Sequence, residues 1–435
     1  MRRDPRLYST TRRCSTTRRF GLALPALALA VLLSSSSARS EDAAGSHDWP
    51  QFRGQQRNGI STETDLLARW PEAGPRELWR RTIGEGYSGI AVVGDRFYTL
   101  YADGEGDAAR EYAAAFDTAK GQELWRTAVG AKLETEFGNG PRATPTVGDD
   151  SVYVLGSMGR LAALGRGDGT VRWQLELEET FGSERPHWGF ATSPLVDGDL
   201  LVVEGGGTEG KSYAGLDKAT GAVRWTVGDA KGGPGYNSAI PVMMNGQRRF
   251  VYVASGQIRC IDPEGGVVWN HPWPAGETHA VPVFIAPDLI FASGAQGVGA
   301  KLLRVHEDGD EVRVEEVWST DVMKNHFNAS VVYDGVIYGF DNATLKAIAL
   351  DTGAALWAKR GLGKGSLILA DGNLLVLSDR GKLLLVEASE KAYVEKGHVQ
   401  ALSGRSWTAP TLSAGHLYLR NHTEMVAYDL ARPTG

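Results

Sequence analysis

Eight short stretches of this chain place aromatic, cationic and amide side chains just ahead of runs of Val, Ile and Leu. They are Gly86-Tyr87-Ser88, Asn139-Gly140-Pro141-Arg142, His187-Trp188-Gly189-Phe190, Tyr236-Asn237-Ser238, Thr278-His279-Ala280, His326-Phe327-Asn328, Gly365-Ser366 and Arg405-Ser406-Trp407. If a fold brought them together, Arg142 would pair with an anionic group. Trp188 or Trp407 would stack on a planar one. Asn237, His279, His326 and Asn328 would supply hydrogen bonds, with His187 beside Trp188 completing the set. Such a site suits a planar or anionic small molecule. A structural reading stands beside it: the same side chains satisfy backbone groups where strands begin and fill a narrow, wet channel.

Other chemistries find less support. His187, His279 and His326 lie far apart in sequence, and no close His/Cys/carboxylate spacing makes a metal site of them. No Ser/His/Asp elbow, phosphate loop or paired-carboxylate signature is present, so no catalytic residue is assigned. Gly205-Gly206-Gly207 follows a strand pattern, but no helix follows it to cradle a phosphate. Cys14 and Cys260 are the two cysteines. Cys260 reads as a small buried hydrophobe in the strand Gln257–Ile261.

The elements that must position these residues repeat. Trp closes a short segment at positions 79, 125, 173, 225, 269, 318 and 357, at intervals of 39 to 52 residues. That interval fits a four-stranded propeller blade. Within a unit, alternating strands are separated by turns such as Asp197-Gly198, Asp334-Gly335 and Asp371-Gly372, whose residues tolerate positive φ. Second strands recur near residues 96, 151, 200, 250, 289, 336, 373 and 416, which makes eight blades. The last unit ends at Leu430 with no fourth strand. The orphan segment 76–81 is therefore predicted to complete it, closing the ring and removing an open sheet edge. The unit around 382–394 lacks a terminal Trp and is expected to be the weakest. The fold class is all-β: an eight-bladed propeller of four-stranded antiparallel blades over residues 76–430, with a leader over 41–75 packed on it and a tail over 431–435.

The N-terminus has its own grammar. Seven Arg precede an apolar stretch from Gly21 to Leu33, followed by small residues ending at Ala38-Arg39-Ser40. This is the order of a secretory signal over 1–40, too short to span a bilayer. Arg18-Arg19-Phe20 makes an imperfect twin-arginine match. Periplasmic or secreted location is expected. Cys14 lies upstream of the apolar run, so it cannot anchor a lipid. Residues 1–40 hold eight Arg and one Asp of the chain's 46 basic and 52 acidic residues, so the remainder carries a net charge of −13. That acidity disfavours nucleic acid as a partner.

The unit D-x-x-T-G-x-x-x-W, as in Asp217–Trp225, with its relative Asp351-Thr352-Gly353-Ala354-Ala355-Leu356-Trp357, resembles the tryptophan-docking repeat of the PQQ-like (pyrroloquinoline-quinone) propeller family. Asp48-Trp49-Pro50-Gln51-Phe52-Arg53-Gly54, with Arg57-Asn58-Gly59, is similar to the leader of many exported PQQ-like proteins. The family includes quinoprotein alcohol dehydrogenases and non-enzymatic relatives such as the outer-membrane assembly lipoprotein BamB. The resemblance implies two functions. One is a binding or scaffold protein of the cell envelope, working as a monomer on an envelope protein or a small polar ligand. The other is a PQQ- and calcium-dependent alcohol or sugar dehydrogenase with its cofactor in the central channel. Dehydrogenases of the family typically place adjacent disulfide-bonded cysteines over the quinone. This chain has no such pair, which weighs against retained quinone chemistry.

Overall fold

The computed structural model describes residues 47–433 apart from 230–234, 255, 275–278, 296 and 310. The expected export signal and the end of the tail lie outside the described residues. The described chain forms eight four-stranded antiparallel sheets: blades 1 (91–131), 2 (146–176), 3 (195–227), 4 (240–272), 5 (283–320), 6 (331–359), 7 (366–400) and 8 (411–429). Blade 8 takes its outer strand from Arg76–Thr82, which pairs antiparallel with Glu424–Asp429. The predicted closure is therefore present. The first strands are short, two to five residues, and those of blade 1 lie against blades 2 and 8.

Burial follows from the radial arrangement. Second strands such as Ser151–Leu155 and Asn373–Leu377 are buried along their whole length. Both of their faces meet a neighbouring blade, so they are apolar beyond the leading Ser151 and Asn373. Fourth strands such as Val223–Val227 run along the outside and expose most of their length. A helix occupies Leu177–Phe181 between blades 2 and 3.

The recurrent indoles join blade to blade. Nε1 of Trp79, Trp125 and Trp173 donates to the carbonyls of Thr118 (2.8 Å), Arg166 (3.3 Å) and Lys218 (3.0 Å). Trp225, Trp318 and Trp357 donate to Pro263 (2.8 Å), Leu350 (2.9 Å) and Ser389 (2.7 Å). Each acceptor lies at the turn between the third and fourth strands of the next blade. Each bond adds roughly 1 kcal/mol to the area the indole buries. The Thr-Gly of that turn follows from this packing. Gly221 has φ +74°, and a Cβ there would sit 2.8 Å from the Trp173 indole. Only glycine meets both demands. Asp217 holds the same turn by accepting from the backbone N–H groups of Ala219 and Thr220.

Two junctions depart from this rule. Trp269 is buried, but its Nε1 has no acceptor among the described residues. The following blade carries a long hairpin, Gly299–Asp308 with Glu311–Thr320, in place of the short turn. In blade 7, the position that pairs like the other docking tryptophans, just before the bulge, is Gly397 opposite Leu385. The leader supplies an indole there instead. Trp70 is 5% exposed, packs among residues of blades 7 and 8, and donates its backbone N–H to the Lys396 carbonyl. A Cβ on Gly397 would lie 2.6 Å from Trp70 Cβ. The unit expected to be weakest is thus repaired from outside its own sequence.

The leader crosses the face that carries the turns between first and second strands. Trp49 bridges to Val92, Val147 donates to the Pro50 carbonyl, Ile60 bridges to Leu369 and Leu66 to Ala431. Two of its arginines enter the ring. Arg57, 1% exposed, donates to the carbonyls of Ser193, Pro194 and Ala239 and to Gln51 Oε1. Arg53 donates to the carbonyls of Asn58, Ala329 and Ser330. Burial lowers their pKa values to about 9 and about 10. Together with Trp49 and Phe52, Arg53 closes one end of the channel.

Candidate functional site

The segments that precede the first strands converge on the axis, at the end opposite the leader. Polar members of these segments tie one blade to the next. Thr408 Oγ1 donates to the Tyr87 carbonyl and Ser88 Oγ to that of Ala143. Ser193 Oγ accepts from Thr144 N–H, and Ser238 Oγ from Ser193 N–H. Asn237 Nδ2 donates to the Ala280 carbonyl, Asn328 Nδ2 to that of Gly365, and Ser366 Oγ to that of Thr408. These bonds span seven of the eight junctions among the described residues. Part of the polar ring therefore serves the backbone, as the structural reading required.

Inside this belt lies a cavity of about 580 Å³, floored by Trp49, Phe52 and Arg53. Its aromatic wall is nearly continuous. Phe137 meets Trp188 edge-on at 5.9 Å, and Trp188 lies 5.6 Å from Tyr236. Tyr236 stacks on His279 at 4.8 Å, and His279 on His326 at 5.5 Å. Phe327 meets Trp407 at 5.0 Å, and Trp407 meets Tyr87 at 5.4 Å. Tyr87 closes the circuit by donating its hydroxyl to the Phe137 carbonyl at 3.0 Å. Blade 7 contributes Lys364 in place of an aromatic ring.

The electrostatics are one-sided. Arg53, Arg142, Lys364 and Arg405 line the cavity, and no Asp or Glu among the described residues does. Arg142 donates to the carbonyls of Gly138 (2.9 Å) and Gly140 (2.5 Å) and to Thr135 Oγ1 (3.1 Å). Arg405 lies over the Trp407 ring at 4.5 Å and donates to the Phe137 carbonyl at 2.5 Å. Burial pushes His279 and His326 down to about 4, helped by the charge of Lys364. Both are neutral near pH 7. Glu111 and Glu136 act on Arg142 through charge alone, and nearby carboxylates have other hydrogen-bond partners. Glu136 pairs with His187 at 3.2 Å, Glu85 with Lys132, and Glu111 accepts from Ser157 and the Leu133 N–H. No cluster of three His, Cys, Asp or Glu able to hold a metal occurs among the described residues.

Arg142, Trp188, His279, His326, Asn328 and Trp407 line the cavity. His187 and Asn237 do not. His187 is two-thirds exposed and faces Glu136 outside it. Asn237 is fully buried between blades 4 and 5, its Oδ1 accepting from Val253 N–H. Reasoning from types alone selected the amide of Tyr236-Asn237-Ser238, whereas the neighbouring ring faces the axis. Tyr87, Phe137, Tyr236, Phe327, Lys364 and Arg405 were not singled out. Their signal was present, because all but Phe137 and Lys364 sit within the aligned segments.

The architecture and this blind aromatic cavity define a closed, eight-bladed propeller of the tryptophan-docking type. Residues 109–359 match the sequence profile of the family described as "Outer membrane protein assembly factor BamB", and the chain belongs to that family. It is similar to the outer membrane protein assembly factor BamB of Yersinia pestis, 21% identical over 383 residues, covering 82% of this chain and 80% of that one. The crystal structure of BamB from Moraxella catarrhalis superposes with a TM-score of 0.57 at 16% identity, covering 83% of this chain and 100% of that one. Quinohemoprotein alcohol dehydrogenase from Comamonas testosteroni gives 0.64 at 12% identity, covering 91% and 82%. These structural likenesses carry the fold alone. No helix among the described residues is long and apolar enough to cross a membrane.

Proposed function

We propose that this chain is a non-catalytic binding or scaffold propeller of the cell envelope. It works as a single copy on an envelope protein, and its axial cavity is its ligand site. One observation carries the reading: a BamB-family ring whose cavity holds four cations, an aromatic wall and, among the described residues, no carboxylate. The name of the Yersinia relative, an outer membrane assembly factor, supports an envelope partner. The N-terminal signal pattern supports export, and with it a periplasmic or secreted location.

The donor set weighs against the dehydrogenase reading. Calcium takes six to eight oxygen ligands, largely from carboxylates. A wall bearing Arg142, Lys364 and Arg405, with no carboxylate among the described residues, repels a dication, so these residues do not fit a calcium–quinone centre. A general base would also have to be found, and His279 and His326 stack on one another with no carboxylate among the described lining residues to orient them.

The test uses the purified protein with PQQ and Ca²⁺, scored by melting temperature and by reduction of an electron-accepting dye with alcohols and sugars. No turnover is expected, and the protein should fractionate outside the cytoplasm. Robust quinone-dependent dye reduction would sink the proposal.

A further inference from the structure

One buried acid stands apart from the ion pairs of this ring. Glu204 ends the second strand of blade 3, Leu200–Glu204, and is 4% exposed. Its Oε1 accepts from the Gly235 N–H at 2.7 Å. Gly235 lies in the segment that enters blade 4, directly before Tyr236. The acid of one blade therefore holds the entry segment of the next.

Blade 8 builds the same clamp with the opposite charge. Arg420 ends its second strand, His416–Arg420, and donates through Nη2 to the Gly86 carbonyl at 2.9 Å, directly before Tyr87. Tyr87 and Tyr236 both line the axial cavity. The two clamps differ in how they bear charge. Arg420 spreads its other donors over Thr99 Oγ1 and the carbonyls of Leu100 and Asn421. Glu204 has no Lys, Arg or His partner among the described residues.

The groups around Glu204 leave it uncompensated. Tyr213 faces it from the third strand of blade 3 and donates to the Asn237 carbonyl at 2.7 Å. Tyr252, from the second strand of blade 4, stacks on Tyr213 at 3.6 Å. Burial raises both phenols, so both are neutral near pH 7. Two cations act on these tyrosines and spend their bonds elsewhere. Arg57 of the leader serves Gln51 and the carbonyls that begin blades 3 and 4. Arg259 of blade 4 serves Asn270 and Gln257. At the carboxyl itself, hydrogen bonds from Gly235 and Thr192 favour the anion, and burial disfavours it. Burial wins, lifting the group to about 8. A carboxylate formed there gains more from reaching water than from keeping those bonds.

We propose that Glu204 is a proton-operated clamp, whose neutral carboxyl holds Gly235 and sets Tyr236 in the wall, and whose ionisation frees the segment that enters blade 4. The proton leaves to solvent, the carboxylate turns to water, and the Gly235 N–H is released. Tyr236 then loses the support that places it 4.8 Å from His279 and 5.6 Å from Trp188. The device needs no ligand and is independent of whether the propeller catalyses anything.

The test is hydrogen exchange of the full chain, read by mass spectrometry on peptides covering residues 235–238 from about pH 6.5 to about pH 8.5, with intrinsic rates divided out. Protection should fall at least about tenfold over that range, with its midpoint near 8. Glu204→Gln keeps a carbonyl that accepts from Gly235 and cannot ionise, so E204Q should stay protected throughout. Constant protection in the parent protein overturns the inference. So does protection that rises with pH, because the carboxylate then grips Gly235 more tightly. The same fall in E204Q, or a fall shared by residues 86–93 of blade 1, overturns it as well, since the opening then belongs to another group or to the whole ring.

Discussion

The Trp70–Gly397 junction supplies the sharpest test of how this ring is held together. Replacing Trp70 by Ala removes a nearly fully buried indole. A tryptophan buries on the order of 200 Å². At about 25 cal/mol per Å² that is roughly 5 kcal/mol as an upper bound, and large-to-small core changes of this kind cost about 3–5 kcal/mol. Gly397→Ala acts from the other side. Its Cβ would fall 2.6 Å from Trp70 Cβ and 3.1 Å from the Trp70 backbone nitrogen, so the leader must shift. Overpacking typically costs about 1–3 kcal/mol. The two changes share one contact and should not add. Once the indole is gone the leader can move, and G397A should cost under about 1 kcal/mol in the W70A background. Urea unfolding of the four proteins, followed by far-ultraviolet circular dichroism, measures the cycle. Strict additivity, or a W70A cost below about 1 kcal/mol, would refute the claim that the leader replaces the missing docking residue of blade 7.

Three further outcomes follow from buried charge. Arg57→Met should strip the donors from the carbonyls of Ser193, Pro194 and Ala239 and cost about 3 kcal/mol; hydrogen exchange should rise first where blades 3 and 4 begin, and R57K should restore less than half, lacking the fork. His279 and His326 have folded pKa values near 4, below about 6.5 when unfolded. The unfolded chain therefore binds more protons between those values, and stability falls as pH drops from about 6.5 to 4. H279Q/H326Q should flatten that acid slope in chemical melts, and a slope left intact would assign it elsewhere. Glu204 behaves in the opposite sense. Burial raises it to about 8 while Gly235 N–H donates to its Oε1. It is protonated at neutral pH, whereas the unfolded carboxyl titrates at about 4.3, so its stabilising contribution is lost progressively as pH rises from about 4.3 to 8. E204Q should remove that loss, measurable by comparing the change in melting temperature between pH 5 and pH 8 with that of the parent protein.

The family relationship constrains how the cavity should be read. A shared propeller positions eight loop-bearing blades around an axis, and function is grafted onto those loops. Here the graft is an aromatic wall with cations at its rim and floor. The opposite end is sealed by a leader that spends two arginines on strand-start carbonyls. That seal makes the axial space a pocket instead of a through-channel. It also ties blades distant in sequence, since Arg57 alone reaches blades 3 and 4 and Ile60 reaches blade 7.

Much of this was legible in one dimension. Blade number, the docking role of Trp125, Trp173 and Trp225, and the closure by residues 76–81 follow from local signals: strand alternation, turn residues and a Trp at fixed spacing. Those signals are local because a blade's backbone bonds lie almost wholly within about 45 contiguous residues. The orientation of side chains in the axial segments was not legible. Asn237 and Tyr236 are neighbours, and in extended backbone neighbours face opposite ways, so one faces the axis and the other the next blade. Which one depends on how each segment enters its sheet, and the segments are irregular. Trp70 filling the gap at Gly397, Arg53 and Arg57 reaching the axis, and Arg142 meeting Arg405 on one turn all join residues scores to hundreds of positions apart. No periodicity within a repeat encodes such contacts. They exist because ring closure sets where each blade stands, and the leader then packs into the space that remains.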